Sequence, residues 1–210
     1  MPDTPQQRRA PFYWERNNDG SGNWSRKDWP PGADLAALRR GIGREPGTVP
    51  ALWPFYTNLN ESGQLTRALR AEHTALTLFA VHQQSQGKPM HVAGIGLGRA
   101  IRALHSGERA KFSEDAVNRR FSAAATATSM AELALHLRGL ISMLNDIPQA
   151  VDYSRLFEDL VAWQDIRRIS QVRRRWGGQY FVWKSEPAAA TTLPEPRLPD
   201  HALDDIRELT

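Results

Sequence analysis

The stretch SMAELALHLRGLISMLND, residues 129–146, leaves its chain few folding options. Met130, Leu133, Leu137, Leu140, Ile141 and Leu144 recur three and four residues apart, which gathers them on one stripe of an α-helix. Ser129 stands just before the stripe and Glu132 three residues later, the pairing of a capping box. A helix with one apolar stripe must bury it against other elements.

The rest of the sequence supplies those partners. DAVNRRFSAAATAT repeats the spacing with Val117, Phe121, Ala124 and Ala125. Asp152 opens DYSRLFEDLVAWQ, and IRRISQVRRRWGGQYFVW predicts a last helix, weakened by Gly177 and Gly178. Upstream, GQLTRALRAEHTALTLFAVHQQ places Leu65, Leu69, Leu76, Phe79 and Ala80 on one face. Asp34 is a candidate N-cap for a short helix in LAALRRG, and ALWPFYTNL predicts another after Pro50. No convincing alternating strand competes; MHVAGIG and QYFVW are weak exceptions.

The expected fold is therefore all-α, with short N-terminal helices packed against a C-terminal helix bundle and flexible N- and C-terminal extensions. Residues 1–28 read as a polar extension without a core pattern, 29–113 as the N-terminal helical part, 114–184 as the bundle and 185–210 as an acidic, Pro-rich tail with one short helix in DDIREL. Trp14 and Trp24, with Trp29 just after, are unusual in a free extension and offer a way to pin it onto the body or onto a partner.

Charge is unevenly placed along the 210 residues. Residues 185–210 carry six acidic and two basic side chains, whereas 1–184 carry 25 basic against 17 acidic, a net of +8 beneath a whole-chain value of +4. Of the 27 basic residues only Lys27, Lys88, Lys111 and Lys184 are lysines. Arginine forks bind phosphate through paired hydrogen bonds. A GC-rich genome also favours arginine, and composition alone leaves both readings open. The absence of cysteine excludes disulfides, thiolate nucleophiles and cysteine-ligated zinc, and suits a reducing cytoplasm. With no signal-peptide pattern at the start and no apolar run near membrane-spanning length, the expected location is cytoplasmic, away from any membrane.

HVAGIGLGRAIRAL, residues 91–104, resembles a phosphate-binding loop at first sight. A dinucleotide loop requires G-x-G-x-x-G after a strand, but the spacing is Gly94-x-Gly96-x-Gly98; a Walker loop requires Gly-Lys-Ser/Thr, but Arg99 and Ala100 follow Gly98. A helix start carrying Arg99 and Arg102 fits better, with amides and arginine open to a polynucleotide phosphate. His73, His82, His91, His105, His136 and His201 match no metal spacing, no G-x-S-x-G elbow exists, and the carboxylates sit at helix starts or beside arginines. No catalytic residue, cofactor or metal is expected.

What remains is arginine in clusters: Arg39-Arg40, Arg119-Arg120, Arg167-Arg168 and Arg173-Arg174-Arg175, with Arg138 inside LHLRGL. At helical spacing Arg167, Gln171, Arg174 and Gly178 share one polar face, with Arg168 and Arg175 at its edge. Ile169, Val172 and Trp176 lie opposite, flanked by Ile166, and Arg173 falls toward that apolar side. Each cluster alone could be a solvated face. Their repetition on separate helices points equally to a nucleic-acid groove.

TVPALWPFY, GIGLGRAIRAL, NRRFSAAATATSMAELALHLRGLI and DYSRLFEDLVAWQ with VRRRWGGQYF occur in this order over roughly residues 30–183. Together they resemble the CasB family, the small subunit of the type I-E CRISPR surveillance complex Cascade. Departures are the N-terminal extension, the acidic tail, Gly139 where relatives often carry a second arginine, and Gly177-Gly178. The resemblance implies a non-catalytic helical subunit that pairs head to tail with a second copy and contacts the backbone and large subunits of Cascade. It implies support of the crRNA and target strand, and a basic surface for the displaced non-target strand of the R-loop. By resemblance Arg39 and Arg40 are the family's early pair, Arg99 the arginine of the glycine segment, with Arg102 beside it. Arg119 and Arg120 open the bundle, Arg138 is the first arginine of LRxL, and the run Arg173, Arg174 and Arg175 is similar to a basic stretch before the aromatic end. The alternative is a helical protein-interaction subunit without nucleic-acid contact.

Overall fold

The computed structural model of the chain describes residues 10–19, 23–26 and 29–181. Within them run seven α-helices: α1 Gly32–Arg39, α2 Arg67–Gln83, α3 Leu97–Arg102, α4 Glu114–Thr126, α5 Met130–Asp146, α6 Tyr153–Trp163 and α7 Ile169–Phe181. Two 3-10 turns, Tyr13–Glu15 and Pro50–Phe55, complete the set. Among the described residues pairing in the β sense is confined to two isolated bridges, Asn18 with Trp24 and His91 with Val151. The all-α class holds, and the expected tail helix in DDIREL lies outside the described residues.

Helix starts follow local chemistry. Thr66, Ser113, Ser129 and Asp152 each accept a backbone N–H of the first turn of α2, α4, α5 and α6 with their side chains. At α5 the Ser129 hydroxyl accepts from Glu132 N at 3.2 Å. The reciprocal half of the expected box is displaced by one residue: the Glu132 carboxylate accepts from Thr128 N and Thr128 Oγ1, both at 2.8 Å. Asp34 is not the cap of α1. The helix begins at Gly32 after Pro31, and the Asp34 carboxylate instead accepts the Tyr13 hydroxyl at 2.9 Å. The stretch after Pro50 winds as a 3-10 turn rather than an α-helix, and Pro54 denies it the amide that longer helical pairing requires.

Helix α2 is central rather than one-faced: every residue from Ala71 to Ala80 is buried, with α1, α5 and α6 packed around it. Its polar side chains are satisfied from neighbouring loops. Glu72 accepts Thr57 N and Oγ1 at 2.7 Å, Asn58 N at 2.9 Å and Asn58 Nδ2 at 3.0 Å. Tyr56 donates its hydroxyl to His73 Nδ1 at 2.6 Å, which leaves His73 Nε2–H to donate to the Gly41 carbonyl at 2.9 Å. Burial holds the His73 imidazole below its usual pKa, so the neutral ring is the one that makes both bonds.

The N-terminal segment departs from the expected free extension. Phe12, Tyr13 and Trp14 are all in the core, Phe12 against Phe157, Tyr13 edge-on to Phe55 and Trp14 beside Tyr153. Trp14 Nε1 donates to Ser154 Oγ at 2.9 Å, and that hydroxyl donates to Glu15. Trp24 and Trp29 pack partly buried against the same core, so the pinning is onto the body. One continuous apolar core runs from Phe12 to Tyr180.

The last helix also departs from expectation at its start. Residues 165–168 form a turn whose Asp165 Oδ1 accepts Arg167 N at 3.0 Å, and α7 begins only at Ile169. Ile166 flanks no apolar face; it is 85% exposed at the tip of this turn. Gly177 and Gly178 do not interrupt α7, because Val172, Trp176 and Tyr180 hold it by a stripe at four-residue spacing.

Candidate nucleic-acid interface

The segment that resembled a phosphate loop is shaped by α7. Gly94 turns the chain with φ +82°, a backbone state that favours glycine, and its amide donates to Asp152 Oδ2 at 2.8 Å. Gly98 N donates to Gln179 Oε1 at 3.1 Å, and a Cβ on Gly98 would collide with the Trp176 carbonyl oxygen. The glycines therefore let α3 approach α7. The amides of Gly94 and Gly98 have protein acceptors, which corrects the expectation that they lie open to phosphate. Arg99 projects exposed from α3; Arg102 is half-buried and lies in electrostatic reach of Tyr180, whose hydroxyl donates to Asn118 Oδ1 at 2.6 Å. Burial first, and the Glu114 charge next, push that phenol up to about 12.

Arg119 and Arg120 are both exposed on α4, opposite Val117 and Phe121 in the core. Neither forms an ion pair with Glu114 or Asp115; Arg120 Nη1 folds back only to the Ala116 carbonyl at 3.3 Å. Arg39 ends α1 half-buried and Arg40 follows it exposed. Arg167 lies exposed in the turn before α7, so it shares no helix face with Arg174.

The three consecutive arginines of α7 divide by environment. Arg174 is exposed. Arg173 reaches back toward the apolar side, its guanidinium 5.2 Å from the centroid of the Trp163 ring, a cation–π contact that leaves the side chain on the surface. Arg175 turns inward to pair with Asp159, which also accepts Trp176 Nε1 at 2.6 Å. Desolvation raises the Asp159 pKa against the opposing pull of Trp176, Arg175 and Arg155, so the half-buried Arg175 serves as counter-charge to a buried carboxyl.

Arg138 is the sequence-identified arginine that the fold sets in a concavity. A groove of about 670 Å³ runs between residues 42–46, α2 and the first half of α5, and Arg44, Arg70 and Arg138 all line it. Arg44 and Arg70 are isolated arginines in sequence, and clustering along the chain gave no signal for them; only the packing of α5 on α2 brings them beside Arg138. Leu135 stands 57% exposed on the same groove. Among the described residues no group of histidine and carboxylate side chains could hold a metal ion, and no helix is long and apolar enough to cross a membrane.

Comparison with known proteins places this geometry. Residues 34–181 match the family described as CRISPR-associated protein Cse2. The crystal structure of CasB from Thermobifida fusca is similar at 29% identity and a TM-score of 0.59, over 72% of this chain and 85% of that one. CasB from Thermus thermophilus is similar at 26% identity and a TM-score of 0.55, over 74% and 88%. A CRISPR-associated protein of the Cse2 family, also from Thermus thermophilus, shares 25% identity at a TM-score of 0.56, over 75% and 89%. Comparison with curated proteins gives no match. A family match across most of the helical body, joined to the same fold in solved relatives, means that this chain belongs to the Cse2, or CasB, family of type I-E CRISPR Cascade subunits.

Proposed function

We propose that this chain is a non-catalytic, cytoplasmic nucleic-acid-binding subunit of Cascade. In this reading it supports the crRNA and target strand, holds the displaced strand of the R-loop, pairs head to tail with a second copy, and contacts the backbone and large subunits. The observation that carries the reading is the state of the arginines. Arg40, Arg99, Arg119, Arg120, Arg138, Arg167, Arg173 and Arg174 are exposed on separate elements. None of these eight has an ion-pair partner within 4.0 Å among the described residues. Arginines that served only to pair with neighbours would show those neighbours. Arg175, which does pair, shows the contrast.

Such spacing suits a strand held by its backbone. R-loop formation exchanges one duplex for another of about equal stability, so a few phosphate contacts that hinder re-annealing tip it. They require charge at intervals and no base-reading side chains. The expected result is weak binding of single-stranded and duplex DNA, little affected by sequence, with affinity falling steeply as salt rises. Salt-insensitive binding would overturn the proposal. It would favour instead a protein-interaction subunit, for which exposed Trp53, Ile166 and Phe181 provide apolar contacts.

A further inference from the structure

The groove lined by Arg44, Arg70 and Arg138 has a chemistry that the phosphate reading does not use. Ile42, Met130 and Leu135 line it beside the arginines, and Glu45 is its one carboxylate. Arg44, Arg70 and Arg138 are exposed and without an ion-pair partner among the described residues. An apolar trough with unpaired cations on its rim fits an acidic amphipathic segment better than it fits a bare phosphate backbone, which has nothing to place against leucine and methionine.

The chain carries such a segment beyond its last described residue, Phe181. In ALDDIREL, residues 202–209, helical spacing of about 100° per residue gathers Ala202, Leu203, Ile206 and Leu209 on one side. Asp204, Asp205 and Glu208, with Arg207 among them, fall on the other. Between Phe181 and Ala202 lie 20 residues, which extend to at most roughly 65–70 Å. A body of this size has a radius of gyration of only about 16 Å, so the groove is within reach.

We propose that residues 202–209 of this chain dock in the groove between residues 42–46, α2 and α5. Leu203, Ile206 and Leu209 face Met130 and Leu135, and the carboxylates face Arg44, Arg70 and Arg138. The occupied groove removes these three arginines from the nucleic-acid surface and covers the exposed Leu135. Docking itself does not rest on nucleic-acid binding, and its test uses none.

The absence of cysteine makes a disulfide test clean. In the full chain, Leu135→Cys is combined with Ile206→Cys and oxidised. A control combines Ile206→Cys with Ser122→Cys, exposed on α4 outside the groove. The expected product is an intramolecular disulfide that forms at least about fivefold faster for the groove pair than for the control, because docking raises the effective concentration at one place only. Adding Arg70→Glu and Arg138→Glu should bring the two rates together. Equal rates at the outset, disulfide-linked dimers in place of the internal bond, or cross-linking indifferent to the charge reversals would each overturn the proposal.

Discussion

The surroundings of α2 and those of α5 solve the same packing problem by different means. Helix α5 is capped at Ser129, carries one apolar stripe and leaves its other face to solvent, where Arg138 stands. Helix α2 is buried all round along its middle. Its neighbours are held by side chains that no helical period reveals: Glu72 binding the 57–58 loop, His73 between Tyr56 and Gly41, and the aromatic run Phe12–Trp14 inserted beside Tyr153 and Phe157. The difference teaches where substitution is free. On α4, on the outer face of α5 and at Arg174, charge can change with little effect on the fold, whereas around α2 even polar residues are internal.

Trp14→Ala probes this contrast hardest. The ring is fully buried and its Nε1 has a partner in Ser154, so the expected loss is about 3–5 kcal/mol in a denaturant titration. A loss below about 1 kcal/mol would return the N-terminal segment to the status of a loose extension and dissolve the comparison.

Acid should separate the two regions next. Burial lowers the pKa of His82 to about 3 and lowers that of His73, both on α2, and that of His91, whose Nδ1 accepts Tyr153 N, in the same direction. The unfolded chain binds these protons near pH 6.5 and the folded chain does not, so stability is full above that value and falls as pH drops toward 3. The decline expected from His82 across that window is a few kcal/mol, at most about 5. His82→Gln should flatten the melting temperature against pH in that window, and an unchanged profile would remove His82 as the cause.

The glycines give a finer test of the same contrast. Gly98→Ala would drive a Cβ into the Trp176 carbonyl and within 2.8 Å of Gln179 Cβ, and should cost about 1–3 kcal/mol. Gly178→Ala meets open space in mid-helix and should stabilise by about 0.5–1 kcal/mol. Thermal melts of the two variants should move in opposite directions, and a shared direction would break the assignment of Gly98 to close helix packing.

Legibility in the sequence follows the same division. Ser129 and Asp152 are caps because a short polar side chain before an apolar stripe has one obvious use, and α5 and α6 were readable from them; α4 was readable from the spacing of Val117, Phe121 and Ala124, without its cap Ser113. Of Phe12–Trp14 only Trp14 stood out, as a tryptophan unusual in a polar extension; three adjacent aromatics bound for three different neighbours have no period that would place them in the core. Asp34 resembled a cap but serves Tyr13, 21 residues away. Of the arginines, local pattern identified those that come in pairs and could not find Arg44 and Arg70, whose association with Arg138 exists only in the packed groove. It placed Arg167 on the face of Arg174 because nothing in IRRIS announces that Asp165 ties its own turn before α7 begins.

The smallest effect on folding is expected where the effect on binding is specific. Arg119→Ala with Arg120→Ala removes two exposed guanidiniums from α4 while Val117 and Phe121 keep the helix anchored. The folding change should stay within about 0.5 kcal/mol, since neither side chain has an ion-pair partner among the described residues and the bond from Arg120 to the Ala116 carbonyl lies within the helix. If both contact phosphate, the slope of log affinity against log salt should shrink in magnitude by up to about 1.4 for single-stranded DNA and 1.8 for duplex. A stability loss with an unchanged slope would mean that the pair supports the fold, which the exposed geometry argues against. Melting temperature and DNA affinity across a salt series, measured on one preparation, separate the outcomes, and an unchanged slope removes α4 from the proposed strand path.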